Sequence, residues 1–280
     1  MSTIGFIGGG NMAASLIGGL LKAGYRATDI MVAEPDGERR QLLAQQFGIQ
    51  TSGENNAVTR CDSIVLAVKP QIIRTVCESL DTSRAGDALY ISIAAGIRST
   101  DINRWLGGEN NAPADRGRAI VRCMPNTPSL LQCGAAGLFA NARVSAQQKQ
   151  QAEEILGAVG MVIWVDDETQ LNAVTAVSGS GPAYFFLLME AMQQAGEKLG
   201  LPANTARQLT IQTALGAARM ASENTTPPAT LREQVTSKGG TTEAAIRSFQ
   251  ADGFEQMVER ALQAASKRSQ ELAEELGKAE

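Results

Sequence analysis

Short runs of β-branched and aliphatic residues recur through the first half of the chain: "TIGFI" (3–7), "DIMVA" (29–33), "SIVLAV" (63–68), "ALYISIAA" (88–95) and "AIVRCM" (119–124). Runs of this length with little alternation predict parallel strands buried on both faces. The stretches between them place apolar residues at helical spacing, first Met12, Leu16 and Leu20, then Leu42, Leu43 and Phe47, then Ile72, Ile73, Val76 and Leu80. Strand alternating with helix predicts βαβ units in an α/β fold, a doubly wound, mostly parallel Rossmann-type sheet. Two further runs, "GLFA" (137–140) and "MVIWV" (161–165), flank a helical segment at 145–158 and close the sheet. Beyond residue 165 the strand pattern stops. Phe185, Leu188, Met192, Ala195 and Leu199 mark one long helix ending at Gly200, with Pro202 placed to open the next. More helices are expected at 202–222, 229–235, 242–251 and 254–276, so the expected division is a dinucleotide-binding domain at 1–165 and an all-helical domain at 166–280.

With 44% hydrophobic and 19% charged residues, the 280-residue chain has the profile of a globular protein able to bury its own core. Its net charge of −4 gives no reason to expect nucleic acid or an anionic membrane as partner. No apolar run approaches the roughly 20 residues that span a bilayer. Cys61, Cys77, Cys123 and Cys133 show no CxxC spacing, and a strand pattern begins directly after the first residues, so a reduced, cytoplasmic protein is expected. Histidine is absent. That excludes histidine acid–base chemistry, Ser-His-Asp triads and histidine metal sites, and no metal is expected.

"GFIGGGNMA" (5–13) follows the first strand directly and opens the first helix, which is the context that gives a glycine pattern meaning. Gly8 supplies the tight turn, Gly10 lets a pyrophosphate approach the backbone at the positive helix end, and Ala13 takes the third small position. The ribose-reading position, about 20 residues further on, falls on Glu34. A carboxylate there favours a ribose diol and repels a 2′-phosphate, whereas Arg39 and Arg40 close behind it are able to neutralise one, so both NADH and NADPH stay open. The plain alternative for the arginines is a solvated helix face.

The chain resembles the pyrroline-5-carboxylate reductase family through "GFIGGGNMA", "AVKP" (67–70), "AAG" (94–96), "RCMPNTP" (122–128), "AVSGSGPAY" (176–184) and "VTSKGGTTEAAIRSFQ" (235–250), which occur in family order. The resemblance implies reduction of 1-pyrroline-5-carboxylate to L-proline, the last step of proline biosynthesis, with NADPH or NADH as cofactor. It implies that Gly8, Gly10, Asn11 and Met12 line the pyrophosphate site, and that Val68, Lys69 and Pro70 of "AVKP", Ala95, Gly96 and Asn126 flank the adenosine and nicotinamide ends. A family asparagine on the ribose has no direct counterpart, because counting back from Asp62 lands on Glu54; Asn55 and Asn56 are the candidates by a one- or two-residue shift. Glu34 departs from the small or neutral residue often found there in the family. The resemblance also implies a helical domain that binds substrate and forms an interlocked homodimer, assembled further into a decamer, with Glu223 near the partner's site.

Imine reduction suits a histidine-free chain. An imine is protonated at nitrogen before hydride arrives and then needs orientation more than a strong acid. In "SKGGTT" (237–242) the glycines free the backbone to turn, and successive N–H groups ahead of a helix form an anion nest with the helix dipole behind it. The backbone from Gly239 and Gly240 to Thr242 is expected to hold the substrate carboxylate, with Ser237 and Thr241 adding hydrogen bonds; the resemblance implies that Thr242 contacts the substrate nitrogen. The plain alternatives are an N-cap at Thr241 or Thr242 and a surface charge at Glu223. Two other functions fit the same plan: a β-hydroxyacid dehydrogenase using a helix lysine, for which Lys198 is the main candidate, and a nucleotide-binding dimer without turnover.

Overall fold

A computed structural model describes residues 2–108 and 117–277. Among these residues an eight-stranded sheet runs in the order β3-β2-β1-β4-β5-β6-β7-β8. The strands are β1 (Ile4–Ile7), β2 (Ile30–Ala33), β3 (Gln50–Ser52), β4 (Ser63–Leu66), β5 (Leu89–Ser92), β6 (Ala119–Met124), β7 (Gly134–Ala140) and β8 (Gly160–Trp164). Every neighbouring pair is parallel except β6 and β7, which are antiparallel. The first six strands carry the order that places ligands at the carboxyl ends near the switch between β1 and β4.

Helices cover both faces. On one side Phe6, Val32 and Val65 pack with Leu16 and Leu20 of α1 (Asn11–Lys22), Leu43 of α2 (Gly37–Phe47) and Ile155 of α5 (Ala146–Gly157). On the other, Ile7, Ile64 and Tyr90 pack with Ile73 of α3 (Ile73–Glu78) and Trp105 of α4 (Ser99–Trp105). Burial on both sides is why β1, β4 and β5 read as unbroken apolar runs. The expected fold class holds, with local differences. β3 is the polar "QTS" at the sheet edge, with Gln50 exposed and Thr51 and Ser52 only half-buried, so no apolar run is required, and α4 is too short to show a helical period. Leu42 and Ile72 occupy helical-pattern positions yet point outward, 56% and 50% exposed, while Leu43 and Ile73 beside them are buried.

The described chain divides into two compact units, Met1–Ser180 with Ala264–Glu280, and Gly181–Gln263. By packing, the division thus falls after Ser180, whereas strand patterning ends at 165. Leu171 and Ala176, in α6 (Leu171–Val174) and the π-helical turn Thr175–Gly179, are buried in the first unit. The end of α11 (Phe254–Gly277) returns to that unit, where Ser269 Oγ donates to Asn172 Oδ1 at 2.8 Å. The second unit contains α7 (Gly181–Lys198), α8 (Ala203–Ser222), α9 (Pro228–Gln234), α10 (Thr241–Ala251) and the start of α11. Among the described residues, no helix is long and apolar enough to cross a membrane.

Helix α1 is held close to the segment after α5 through a glycine. A Cβ on Gly19 would lie 2.6 Å from the Ala158 carbonyl oxygen, whereas one on the adjacent Gly18 would lie 3.4 Å from the Phe47 ring. We expect Gly19→Ala to cost about 1–3 kcal/mol through overpacking and Gly18→Ala to be neutral or stabilising by up to about 1 kcal/mol through helix propensity. Thermal melting of the two variants beside the parent chain checks the pair.

Candidate active site

The glycine loop closes where β1, β2 and β4 end. Gly8 has φ +96°, and a Cβ there would meet the Ala67 carbonyl oxygen at 2.6 Å and Val68 Cγ1 at 3.0 Å. Its N–H donates to the Ala33 carbonyl at 2.8 Å, tying the turn to the end of β2. Gly10 is the N-cap of α1 with no side-chain cap, and a Cβ on it would meet nothing within 4 Å. The first turn of α1, beginning at Asn11 and Met12, thus has no side-chain cap at the positive end of the helix dipole. These residues fit a dinucleotide pyrophosphate: a turn that only glycine makes, an uncapped helix start and no side chain in the way.

Glu34 stands directly after β2. Its Oε2 accepts the Gly9 N–H at 2.7 Å and its Oε1 accepts the Asp36 N–H at 3.1 Å. Arg39 Nε donates to the Gly9 carbonyl at 2.6 Å, and Arg40 Nη1 donates to the carbonyls of Glu34 and Pro35 at 2.7 and 2.9 Å. These arginines are half-buried braces rather than a freely solvated helix face.

The other cofactor candidates divide. Val68 lies against Gly8, and Lys69, exposed after β4, turns the chain by accepting the Ile72 N–H at 3.1 Å, with Pro70 inside the turn. Ala95 is half-buried after β5. Gly96 is buried with φ +72°, and a Cβ there would meet Leu272 Cβ of α11 at 3.4 Å, so its small size serves close packing. Asn126 is buried and committed: Oδ1 accepts the Ala135 N–H at 2.9 Å and Nδ2 donates to the Ser178 carbonyl at 3.1 Å. It clamps "MPNTP" to β7 and to "SGSGP". Asn56 Oδ1 accepts the Asp81 N–H at 2.8 Å beyond α3, away from the glycine loop in its bonding. Cys123, on the strand leading into "MPNTP", is buried and desolvation raises its thiol pKa; burial likewise pushes Cys77 up to about 12. Neither is a thiolate nucleophile at neutral pH.

One hub escaped the sequence reading. Glu168 accepts from Ser99 N at 2.6 Å, Ser99 Oγ at 2.8 Å and Arg122 Nη1 at 2.9 Å, joining β6, the start of α4 and the turn before α6. Its only trace in sequence is Arg122, a charge inside an apolar strand run that needs a buried partner.

In the second unit, "SKGGTT" forms the turn into α10. Gly239 has φ +75°, and a Cβ on Gly240 would meet Ser237 Oγ at 2.5 Å. The N-cap is Gly240 with no side-chain cap, so neither Thr241 nor Thr242 is the cap residue; they are the first two helical residues. The Gly239 N–H donates to Glu243 Oε2 at 2.6 Å and the Gly240 N–H to the Ser237 carbonyl at 3.0 Å, so both glycine amides are spent inside the turn. The anion donors of the nest reduce to the amides opening α10, with Thr242 half-buried beside them. Glu223 caps the end of α8 in an exposed pair with Arg219, 2.8 Å apart. Lys198 is the exposed last residue of α7.

Comparison with known proteins gives these elements a common frame. A family model described as pyrroline-5-carboxylate reductase dimerisation matches residues 168–272, and one described as NADP oxidoreductase, coenzyme F420-dependent, matches residues 3–96. The chain is 56% identical over 280 residues to the pyrroline-5-carboxylate reductase of Pseudomonas aeruginosa, covering 99% of this chain and 100% of that one. A solved pyrroline-5-carboxylate reductase from Coxiella burnetii superposes with a TM-score of 0.91 at 46% identity, covering 97% of this chain and 98% of that one. A Plasmodium falciparum pyrroline carboxylate reductase solved with NADP bound gives a TM-score of 0.81 at 28% identity, covering 97% of this chain and 98% of that one. A glycine loop open for a pyrophosphate, a helical segment matching the dimerisation model and identity sustained from end to end lead to one conclusion: the chain belongs to the pyrroline-5-carboxylate reductase family.

Proposed function

We propose that the chain reduces 1-pyrroline-5-carboxylate to L-proline with NAD(P)H, and that the turn into α10 binds the substrate. The observation that carries the substrate assignment is the uncapped start of α10, where Gly240 leaves the first helical amides without a side-chain partner. When bound, the reduced nicotinamide supplies the hydride. The imine nitrogen takes a proton, the hydride adds to the carbon of the C=N bond, and its π electrons become the lone pair of the product amine. The chain's own part is orientation. The Thr241 and Thr242 amides, with the dipole of α10 behind them, hold the carboxylate, and Ser237 adds a hydroxyl at the same turn. The Thr242 hydroxyl donates to the neutral imine nitrogen or accepts from the iminium N–H, assisting protonation without being the sole proton source. Gly239 and Gly240 shape the turn and leave the anion to the residues after them.

On the cofactor side, Gly8, Gly10, Asn11 and Met12 form the pyrophosphate cradle, with Val68, Lys69, Pro70 and Ala95 beside it. Asn126 and Gly96 act through position, the first by clamping two loops and the second by admitting α11. Asn56 is a weaker candidate than Asn55, because its side-chain carbonyl is already bonded.

The second unit is the dimerisation element. Among its described residues only Gly181, Ala206 and Thr210 are buried, while Phe185, Phe186 and Leu187 on α7 are 64%, 64% and 67% exposed. A helical unit with so little core of its own lacks the burial that stabilises small domains. A second copy interlocking through α7 and α8 supplies that burial, and assembly of five such dimers and delivery of Glu223 to the partner's site complete the proposal. Four free cysteines among the described residues suit a reducing cytoplasm.

Loss of one hydrogen bond to a charged group corresponds to a 10–100-fold change, so Thr242→Ala is expected to lower kcat/KM for pyrroline-5-carboxylate by about that factor, with Thr242→Ser restoring most of it. Steady-state kinetics that leave kcat and KM both unchanged in Thr242→Ala would remove this residue from the mechanism. For the assembly, Phe186→Glu should convert dimer or larger species to monomer in sedimentation velocity; an unchanged sedimentation coefficient would place the dimer contact elsewhere.

A further inference from the structure

A cavity of about 830 Å³ opens at the amino ends of β1, β4, β5 and β6, where Ser2, Asp62, Ala88 and Ala119 line it. This is the edge of the sheet opposite the glycine loop, and the proposed reaction makes no use of it. Its walls carry four arginines, Arg60, Arg84, Arg118 and Arg143, against two carboxylates, Asp62 and Asp87. Asp62 is spent on Thr3, accepting its N–H at 2.7 Å and its hydroxyl at 2.9 Å. Arg84 pairs with Asp81 at 3.0 Å, outside the lining. Arg118 is half-buried and gives Nη2 to a neutral partner, Thr82 Oγ1, at 2.8 Å. Among the described residues neither Arg118 nor Arg60 forms an ion pair.

Topology adds to this charge. In a parallel βαβ unit the crossover helix ends at this edge and brings the negative end of its dipole. β7 reverses that order: it runs antiparallel to β6, with Val121 opposite Ala140, so α5 starts here instead. Ser145 and Gln147 at that start line the cavity with Arg143, an arrangement of cation and positive dipole end that is unfavourable without an anion between them. The capping box uses the N–H groups of Ser145 and Gln148 and leaves those of Ala146 and Gln147 outside it. On the same wall Gln151 Nε2 is buried and donates to no protein acceptor, a cost that a bound oxygen removes. The described lining holds no aromatic or large aliphatic side chain on which a base could rest.

We propose that this cavity is an anion site for a compact phosphate-bearing ligand without an aromatic part. Guanidinium groups meet phosphate oxygens in pairs, and the free amides opening α5 add donors of the kind that phosphates take at helix starts.

Inorganic pyrophosphate, titrated calorimetrically into the full-length chain with and without saturating NADH, tests the site. Saturable binding should persist with NADH present and weaken as salt is raised. Arg118→Ala and Arg60→Ala should each lower the pyrophosphate affinity by about tenfold and leave the NADH dissociation constant unchanged, since each removes a charged donor far from the glycine loop. Arg60 is exposed and has no bonded partner among the described residues, so its variant keeps the test decisive even if loss of the Arg118–Thr82 bond disturbs folding. Absence of saturable binding at millimolar pyrophosphate would overturn the proposal. So would binding that NADH abolishes, which would place the probe at the glycine loop, or an Arg60→Ala chain that binds as the parent does. Citrate bound more tightly than pyrophosphate would refute the phosphate assignment.

Discussion

The turn at Gly8 is the constraint on which the nucleotide half of the molecule depends. Its positive φ and its contact with the Ala67 carbonyl bring the ends of β1, β2 and β4 within bonding distance of one loop. Any side chain there collides with backbone, which has no rotamer to relieve it. From that turn follow the direction of α1, the open start of its first turn and the meeting of the Gly9 peptide with Glu34 and Arg39. Loop, strand end and second helix act as one bonded unit, so the Glu34 carboxylate and the open start of α1 are set by the same geometry.

A similar economy appears in the helical unit. Gly239 and Gly240 turn the chain, and Glu243 reaches back to the Gly239 N–H while pairing with Arg247 at 3.1 Å. The turn is thus ordered by its own side chains, and the amides that follow it remain available. Without histidine, the proposed chemistry rests on a hydroxyl and a helix start. That suffices for an imine, whose nitrogen is basic enough to collect a proton before the hydride arrives.

Much of this was legible in sequence where one physical signal dominates. Buried parallel strands show as apolar runs because both faces are covered, and the Gly8–Gly10 loop shows because it sits between a strand and a helix. What was not legible depends on distant partners. β3 is polar because it lies at an edge, and Glu168 lies 46 residues from Arg122 and 69 from Ser99. Asn126 reads as turn chemistry or as a ligand contact, and only the positions of Ala135 and Ser178 reveal a clamp. The boundary at 165 followed from the end of strand patterning, but residues 166–180 and the last turns of α11 owe their place to burial against the sheet, which periodicity does not report. At the turn into α10, the alternative of an N-cap at Thr241 or Thr242 gives way to Gly240, a difference of one or two residues of backbone conformation.

The central claim is that this scaffold reduces a cyclic imine, and product analysis tests it most directly. The purified chain, given pyrroline-5-carboxylate and either reduced cofactor, should form one L-proline for each NAD(P)H oxidised, and should not reduce NAD(P)+ with a 3-hydroxy acid. No substrate-dependent oxidation of either cofactor, or turnover of the 3-hydroxy acid instead, would contradict the account.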